Sequence, residues 1–223
     1  AAKNGVAHEP EAIPRHLQQK FRRLRGQAGV NPHAMAYLNG CVLALEGKNE
    51  EALEALKKAE EVQAAHRPSL YAKMADIHLE LKNLEQAEVC YDKGLEIAPN
   101  SHDAHLGLAH IRLQQGNYFH AAGEALASLE LIYHNPKAHT VYGTALMAIG
   151  KPEMAEQTLL TAVAQNPGYP PAHERLAEFY TKRKQPDKAR QHTQWAEAAR
   201  QRIVDTKLGR QDEPRPLPEF PSI

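Results

Sequence analysis

Five alanines recur along the chain at Ala52, Ala87, Ala121, Ala155 and Ala189, the first pair 35 residues apart and the rest 34. A second set of small residues keeps the same interval: Gly40, Ala75, Ala109, Gly143 and Ala177. Composition alone does not hold two markers in one register through so much of a sequence. A period in this range belongs to stacked-repeat architectures, in which each unit buries its apolar face against its neighbours. The expected fold is all-α. It is a right-handed helical-repeat solenoid of five helix-turn-helix units, with an extra N-terminal helix and a long C-terminal capping helix.

The pattern inside one period is that of a helix pair. In the fourth unit His139, Tyr142, Gly143 and Leu146 share one face of a first helix, and Ala155, Leu159, Ala162 and Val163 share one face of a second. Gly150-Lys151-Pro152 joins them, and Pro167 closes the unit. The same turn recurs as Gly47-Lys48-Asn49, Lys82-Asn83-Leu84, Gly116-Asn117-Tyr118 and Lys184-Gln185-Pro186. Glycine supplies the left-handed residue that ends a helix cheaply. Pro99 and Pro167 close the second and fourth units, whereas the third has Tyr133 at that place.

Outside the repeats the sequence changes character. Residues 1–12 are polar and irregular. Over 13–30 a helix is expected, with Ile13, Leu17, Phe21 and Leu24 on one face and Arg15, Lys20, Arg22, Arg23 and Arg25 on the other. The repeats occupy 31–208, with units at about 33–66, 67–101, 102–135, 136–169 and 170–208. From 209 to 223 the prolines Pro214, Pro216, Pro218 and Pro221 favour an extended tail or linker. The chain starts at Ala1 with neither a methionine nor a signal-like apolar stretch, as an excised or processed piece of a longer protein would.

The tally of charges limits the partners. Lys plus Arg and Asp plus Glu both number 27, so no global field draws nucleic acid or an anionic membrane. No run of apolar residues is long enough to span a bilayer. Two cysteines, Cys41 and Cys90, make neither a disulfide framework nor a zinc spacing. They are compatible with reduced thiols in a cytoplasmic protein but do not settle the compartment. No phosphate-binding glycine loop, dinucleotide fingerprint or nucleophile elbow is present, so no cofactor and no catalytic residue is expected.

These units resemble the tetratricopeptide repeat family, whose pattern runs Trp-x2-Leu-Gly-x2-Tyr, Ala-x3-Phe, Pro. The second unit is similar through Tyr71, Met74, Ala75, His78, Ala87, Tyr91 and Pro99, and the fifth through Leu176, Ala177, Tyr180 and Ala189. The first unit departs from it, with Asn39 before Gly40 where leucine is usual. The resemblance implies a scaffold that holds a peptide or partner protein against the concave face lined by the first helices. The residues expected there are Tyr37, Cys41, Lys73, Asp76, Glu80, Asp103, Leu106, His110, Asn117, Lys137, Thr140, Thr144, Met147, Glu174 and Glu178. Some members hold the C-terminal carboxylate of chaperones with clustered Lys and Asn. Tyr37 and Cys41 stand at those places, so that ligand is rejected.

The 13 histidines raise the question of a metal. His105, His139 and His173 recur at intervals of 34, where the family carries tryptophan. Neighbouring repeats lie roughly 10 Å apart, about one helix diameter. Ligands must all lie about 2 Å from one ion, so the ladder is read as structural and no metal is expected. Two alternatives stand beside the scaffold reading. One is a C-terminal regulatory or docking appendage of a larger enzyme. The stretch Leu131–His139 is similar to repeat tails on bacterial phosphodiesterases of the alkaline phosphatase superfamily. The other is self-association through the end units of the stack.

Overall fold

The computed structural model describes residues 32–61 and 67–207, and the segments expected at 1–12, 13–30 and 209–223 lie outside them. The described residues form ten α-helices: α1 (Pro32–Leu45), α2 (Asn49–Glu60), α3 (Pro68–Glu80), α4 (Leu84–Ile97), α5 (His102–Gln114), α6 (Tyr118–Leu131), α7 (Pro136–Ala148), α8 (Pro152–Gln165), α9 (Pro170–Lys182) and α10 (Pro186–Lys207). Proline opens α1, α3, α7, α8, α9 and α10, in the first turn where no intrahelical donor is needed. Asn135 caps α7 by accepting a bond from the Ala138 amide at 3.2 Å.

Each turn between the helices of a pair has the same geometry. Gly47, Lys82, Gly116, Gly150 and Lys184 have φ of 74°, 61°, 75°, 76° and 57°. The next residue, at Lys48, Asn83, Asn117, Lys151 and Gln185, donates its amide to the carbonyls of Leu43, His78, Arg112, Leu146 and Tyr180. The left-handed residue itself donates to Ala44, Leu79, Leu113, Met147 and Thr181. This is a Schellman closure repeated five times, and it satisfies carbonyls that the end of a helix leaves open. Only glycine takes that conformation freely, so the two lysines hold it at some cost.

The chain divides into two compact units, 1–107 and 108–223, with the division falling inside α5. In unit 1, α1 packs on α2 and α3 on α4, and α3 also touches α2 and α1. In unit 2, α7 packs on α6 and α8, while α9 packs on α8, α10 and α7. The core of unit 2 runs through Leu159, Val163, Leu176, Phe179 and Tyr180. Leu159 and Leu176 are fully buried, each worth about 2–3 kcal/mol of hydrophobic stabilisation.

The small residues that mark the period set how closely the helices approach. A methyl group at Gly40 would stand 2.6 Å from Leu56 Cγ, and one at Gly143 would stand 2.7 Å from Leu159 Cγ. Leucine branches at Cγ, so it needs glycine across the pair. The equivalent second-helix residue in the next unit is Tyr91, and there Ala75 is accommodated. The longer ring reaches on to Gly107, where an added Cβ would overlap it. Ala125 faces no such limit, and its counterpart is Ala109. Gly or Ala at the marker is therefore decided by the partner side chain.

Candidate interaction surface

Next to the small marker in each first helix comes a residue that differs from unit to unit: Cys41, Asp76, His110, Thr144 and Glu178. All five reach solvent in part, although four of the five markers beside them are buried. Packing therefore fixes one position and leaves its neighbour free to vary.

In unit 1 this face is polar. The Tyr91 hydroxyl donates to Asp76 Oδ1 at 2.9 Å. Loss of water raises the Asp76 carboxyl above the usual range, while the Tyr91 bond and the Lys73 ammonium pull it down and Asp103 pushes it up. Burial and the Asp76 charge drive the Tyr91 phenol well above its ordinary value, so it remains a donor. Asp103 is open to water, with the His102 ring 3.3 Å away. Tyr37 and Cys41 bond each other, and burial raises both groups. A thiol raised in this way stays protonated, the opposite of an activated nucleophile. Glu80 accepts the Asn49 amide at 2.8 Å. Leu106, expected on the face, is buried.

In unit 2, His110 is held below the ordinary imidazole range by desolvation first and by the Lys137 ammonium second. Lys137 is exposed near the start of α7. Two further positions differ from the expectation. Thr140 is buried and donates its hydroxyl to the Pro136 carbonyl at 2.7 Å, so it has little to offer a partner. Asn117 lies past the end of α5, in the turn, where its side-chain oxygen lies 2.7 Å from His120 Nδ1. The recurring turn signal at Gly116-Asn117-Tyr118 marks that turn, and Asn117 stays exposed in it. Thr144 is half-buried and donates to Thr140 O at 2.7 Å, and Met147 packs partly against the core. Glu174 pairs with Arg200 at 2.5 Å, and Glu178 pairs with Arg175 and Lys182 at 2.8 Å each. Lys182 chiefly, with Arg175, holds the Glu178 carboxyl below the usual range.

The histidine ladder lies behind this face. Nε2 of His105, His139 and His173 lies 3.1, 2.9 and 3.0 Å from the carbonyl oxygens of Pro99, Tyr133 and Pro167. A carbonyl only accepts, so each ring donates from Nε2 and ties the entry loop to its helix. His173 has no exposed surface, and its Nδ1 is 3.0 Å from Nδ1 of His192. With Nε2 protonated, His173 accepts at Nδ1 and His192 donates. His192 stacks on Tyr180 and meets Trp195 edge-on. Sequence reading placed the ladder but had no signal for His192, which comes from the polar-looking α10. Among the described residues no three His, Cys, Asp or Glu side chains converge to hold a metal, and no helix is long and apolar enough to cross a membrane.

A stack of antiparallel helix pairs whose free faces carry varied polar side chains defines a helical-repeat scaffold, a class built to present surface to other proteins. Residues 43–111 match the family model described as tetratricopeptide repeat. Residues 41 to the end of MamA from Desulfovibrio magneticus RS-1 superpose with a TM-score of 0.66 at 18% identity, covering 83% of this chain and 100% of that one. A second MamA structure gives 0.64 at 15% identity, covering 84% and 98%. The APC/C hetero-tetramer Cut9-Hcn1 gives 0.71 at 15% identity, covering 88% of this chain and 39% of that one. At such identities the shared property is the fold. No curated protein sequence matches the chain. None of these named similarities is to a phosphodiesterase tail, and the short stretch Leu131–His139 carries no argument further.

Proposed function

We propose that this protein is a non-catalytic scaffold whose first-helix faces bind an extended segment of a partner protein. The observation that carries the reading is the varied series Cys41, Asp76, His110, Thr144 and Glu178 beside the size-restricted markers. Side chains that packing does not dictate are the ones free to be set by a ligand.

Within unit 1 the charge pattern favours a cationic side chain on the partner. Asp76 is partly desolvated, and Asp103 raises its carboxyl further. A basic group between them would relieve both effects and gain from the lowered dielectric. Lys73 sets the limit of that acidic patch. In unit 2, Glu174 and Glu178 are already engaged by arginine and lysine of their own chain. His110, Lys137 and Thr144 then supply the contacts.

Selection of a displayed random-peptide library on the full chain tests the reading. Enriched peptides should carry Arg or Lys, and Asp103→Arg should abolish their capture while leaving the helical signal unchanged. Capture that is indifferent to Asp103→Arg, Asp76→Asn and Glu178→Arg would remove these faces as the binding surface.

A further inference from the structure

Unit 2 contains a shallow cleft of about 520 Å³ away from the first-helix face, lined by Tyr133, His134, Gln157, Leu160, Thr161 and Gln165, with Ala164. Its lining is mostly apolar, and Tyr133 is 67% exposed. Tyr133 stands where the period places Pro99 and Pro167. The backbone around the three is alike: the preceding residues Ala98, Ile132 and Asn166 have φ/ψ of −135°/87°, −136°/95° and −143°/91°. The carbonyls of Pro99, Tyr133 and Pro167 all receive the ladder histidine. The backbone of the loop therefore does not require a tyrosine, although the ring meets His139 edge-on with centroids 5.0 Å apart. An exposed aromatic ring stands in place of proline where this loop borders an apolar cleft.

We propose that this cleft binds the chain's own C-terminal segment, residues 210–223, through Pro214, Pro216 and Pro218 with the neighbouring Leu217. Three arguments favour this occupant. The segment lacks donors at its prolines and presents carbonyl acceptors and flat pyrrolidine rings, which suit an aromatic wall with O–H and amide N–H donors. Tyr133 and Gln157 are such donors on the cleft lining. The described chain also ends at the same edge: α9 packs antiparallel between α8 and α10, so the C-terminal ends of α8 and α10 lie on one side of unit 2. Two helix spacings separate α8 from α10, roughly 16–20 Å. Because α10 is eight residues longer than α8 and overhangs it by about 12 Å, the path is roughly 20–23 Å. Nine residues from Lys207 to Pro216 span roughly 28 Å when extended, at about 3.1 Å each. Reach is sufficient, and closure within one chain carries no cost in concentration.

The test compares amide spectra of the full chain with those of a chain ending at Gly209, and repeats the pair in the variant Tyr133→Pro. That variant restores the residue found in the two sister loops, and the extended Ile132 is compatible with it. The melting temperature is expected to hold. Resonances of Leu160, Thr161, Ala164 and Gln165 should differ between the full and shortened chains. In the Tyr133→Pro background, shortening the chain to Gly209 should leave them unmoved. Identical resonances in the full and shortened chains would overturn the proposal. Differences that grow with protein concentration would overturn it too, by assigning the segment to a second copy. Persistence of the differences in Tyr133→Pro would overturn the role of the cleft.

Discussion

The two units treat Asp76 and the His173–His192 pair, polar groups that burial shifts, in opposite ways. Unit 1 keeps Asp76 ionisable at a face that meets water, with Lys73 and Asp103 around it. Unit 2 shuts His173 and His192 into a neutral pair among Tyr180, Trp195 and the Pro167 carbonyl. The carboxyl is costly to the free protein and available to a ligand. The imidazoles are spent on holding the last two helices. A polar group inside a repeat scaffold thus tells of function or of stability according to whether its bonds are already complete.

Acid should separate the two units most clearly. The ordinary imidazole value is about 6.5, and burial lowers His192 to about 4, with His173 and Lys188 adding to the effect. A depressed folded value means that stability is complete above about pH 6.5 and falls as pH drops toward 4. The loss from His192 alone approaches about 3 kcal/mol once pH falls well below 4. Asp76 has the opposite sign, because its raised folded value favours the protonated form and acid relieves its cost. Hydrogen exchange, corrected for intrinsic rates, should show α9 and α10 opening more readily at pH 4.5 than at pH 7, and by more than α3, where burial also holds His78 below its ordinary value. Equal loosening in both units would break the contrast.

The glycine markers come next in size. Gly143→Ala should cost about 2 kcal/mol by crowding Leu159, and Gly107→Ala a similar amount by crowding Tyr91. Adding Gly143→Ala to Leu159→Ala should cost nothing further, since Ala109 with Ala125 is that combination in another repeat. A denaturant double-mutant cycle measures the coupling. Additive costs would show that the markers are not set by their partner side chains.

Smaller still are the turns. Lys82→Gly in unit 1 and Lys184→Gly in unit 2 should each raise stability by about 0.5–1 kcal/mol, because the left-handed backbone strains any residue with a Cβ. A fall in midpoint for either would show that the lysine side chain earns its place through another contact. The least effect is expected at the exposed pairs. Glu178→Ala should change stability by less than about 0.5 kcal/mol despite two bonds at 2.8 Å, since surface pairs are screened. A larger loss would place Glu178 with the closed networks of unit 2 instead of with its open surface.

Much of the fold was legible because its signal is periodic. The alanine interval, the recurring turn and the proline stops each name a local geometry, and the described helices follow them. The structural role of the histidine ladder was also readable, since one ion cannot span repeats. The site was less legible. Thr140 looks like a surface residue by helical spacing, yet it is buried. Spacing along one helix reports a face but not which neighbour covers it. The bond between Tyr91 and Asp76 and that between His173 and His192 join residues from different helices, so no local pattern announces them.

By itself the sequence determined the class, the register and the small residue in every first helix, because these depend on local conformation and on a repeat that copies itself. Tertiary structure alone decided which glycine answers which side chain, which histidines close on each other, and which loop exposes a ring. Those outcomes depend on distances of a few tenths of an ångström between helices. Such distances are set by packing, and packing is not written in any single segment.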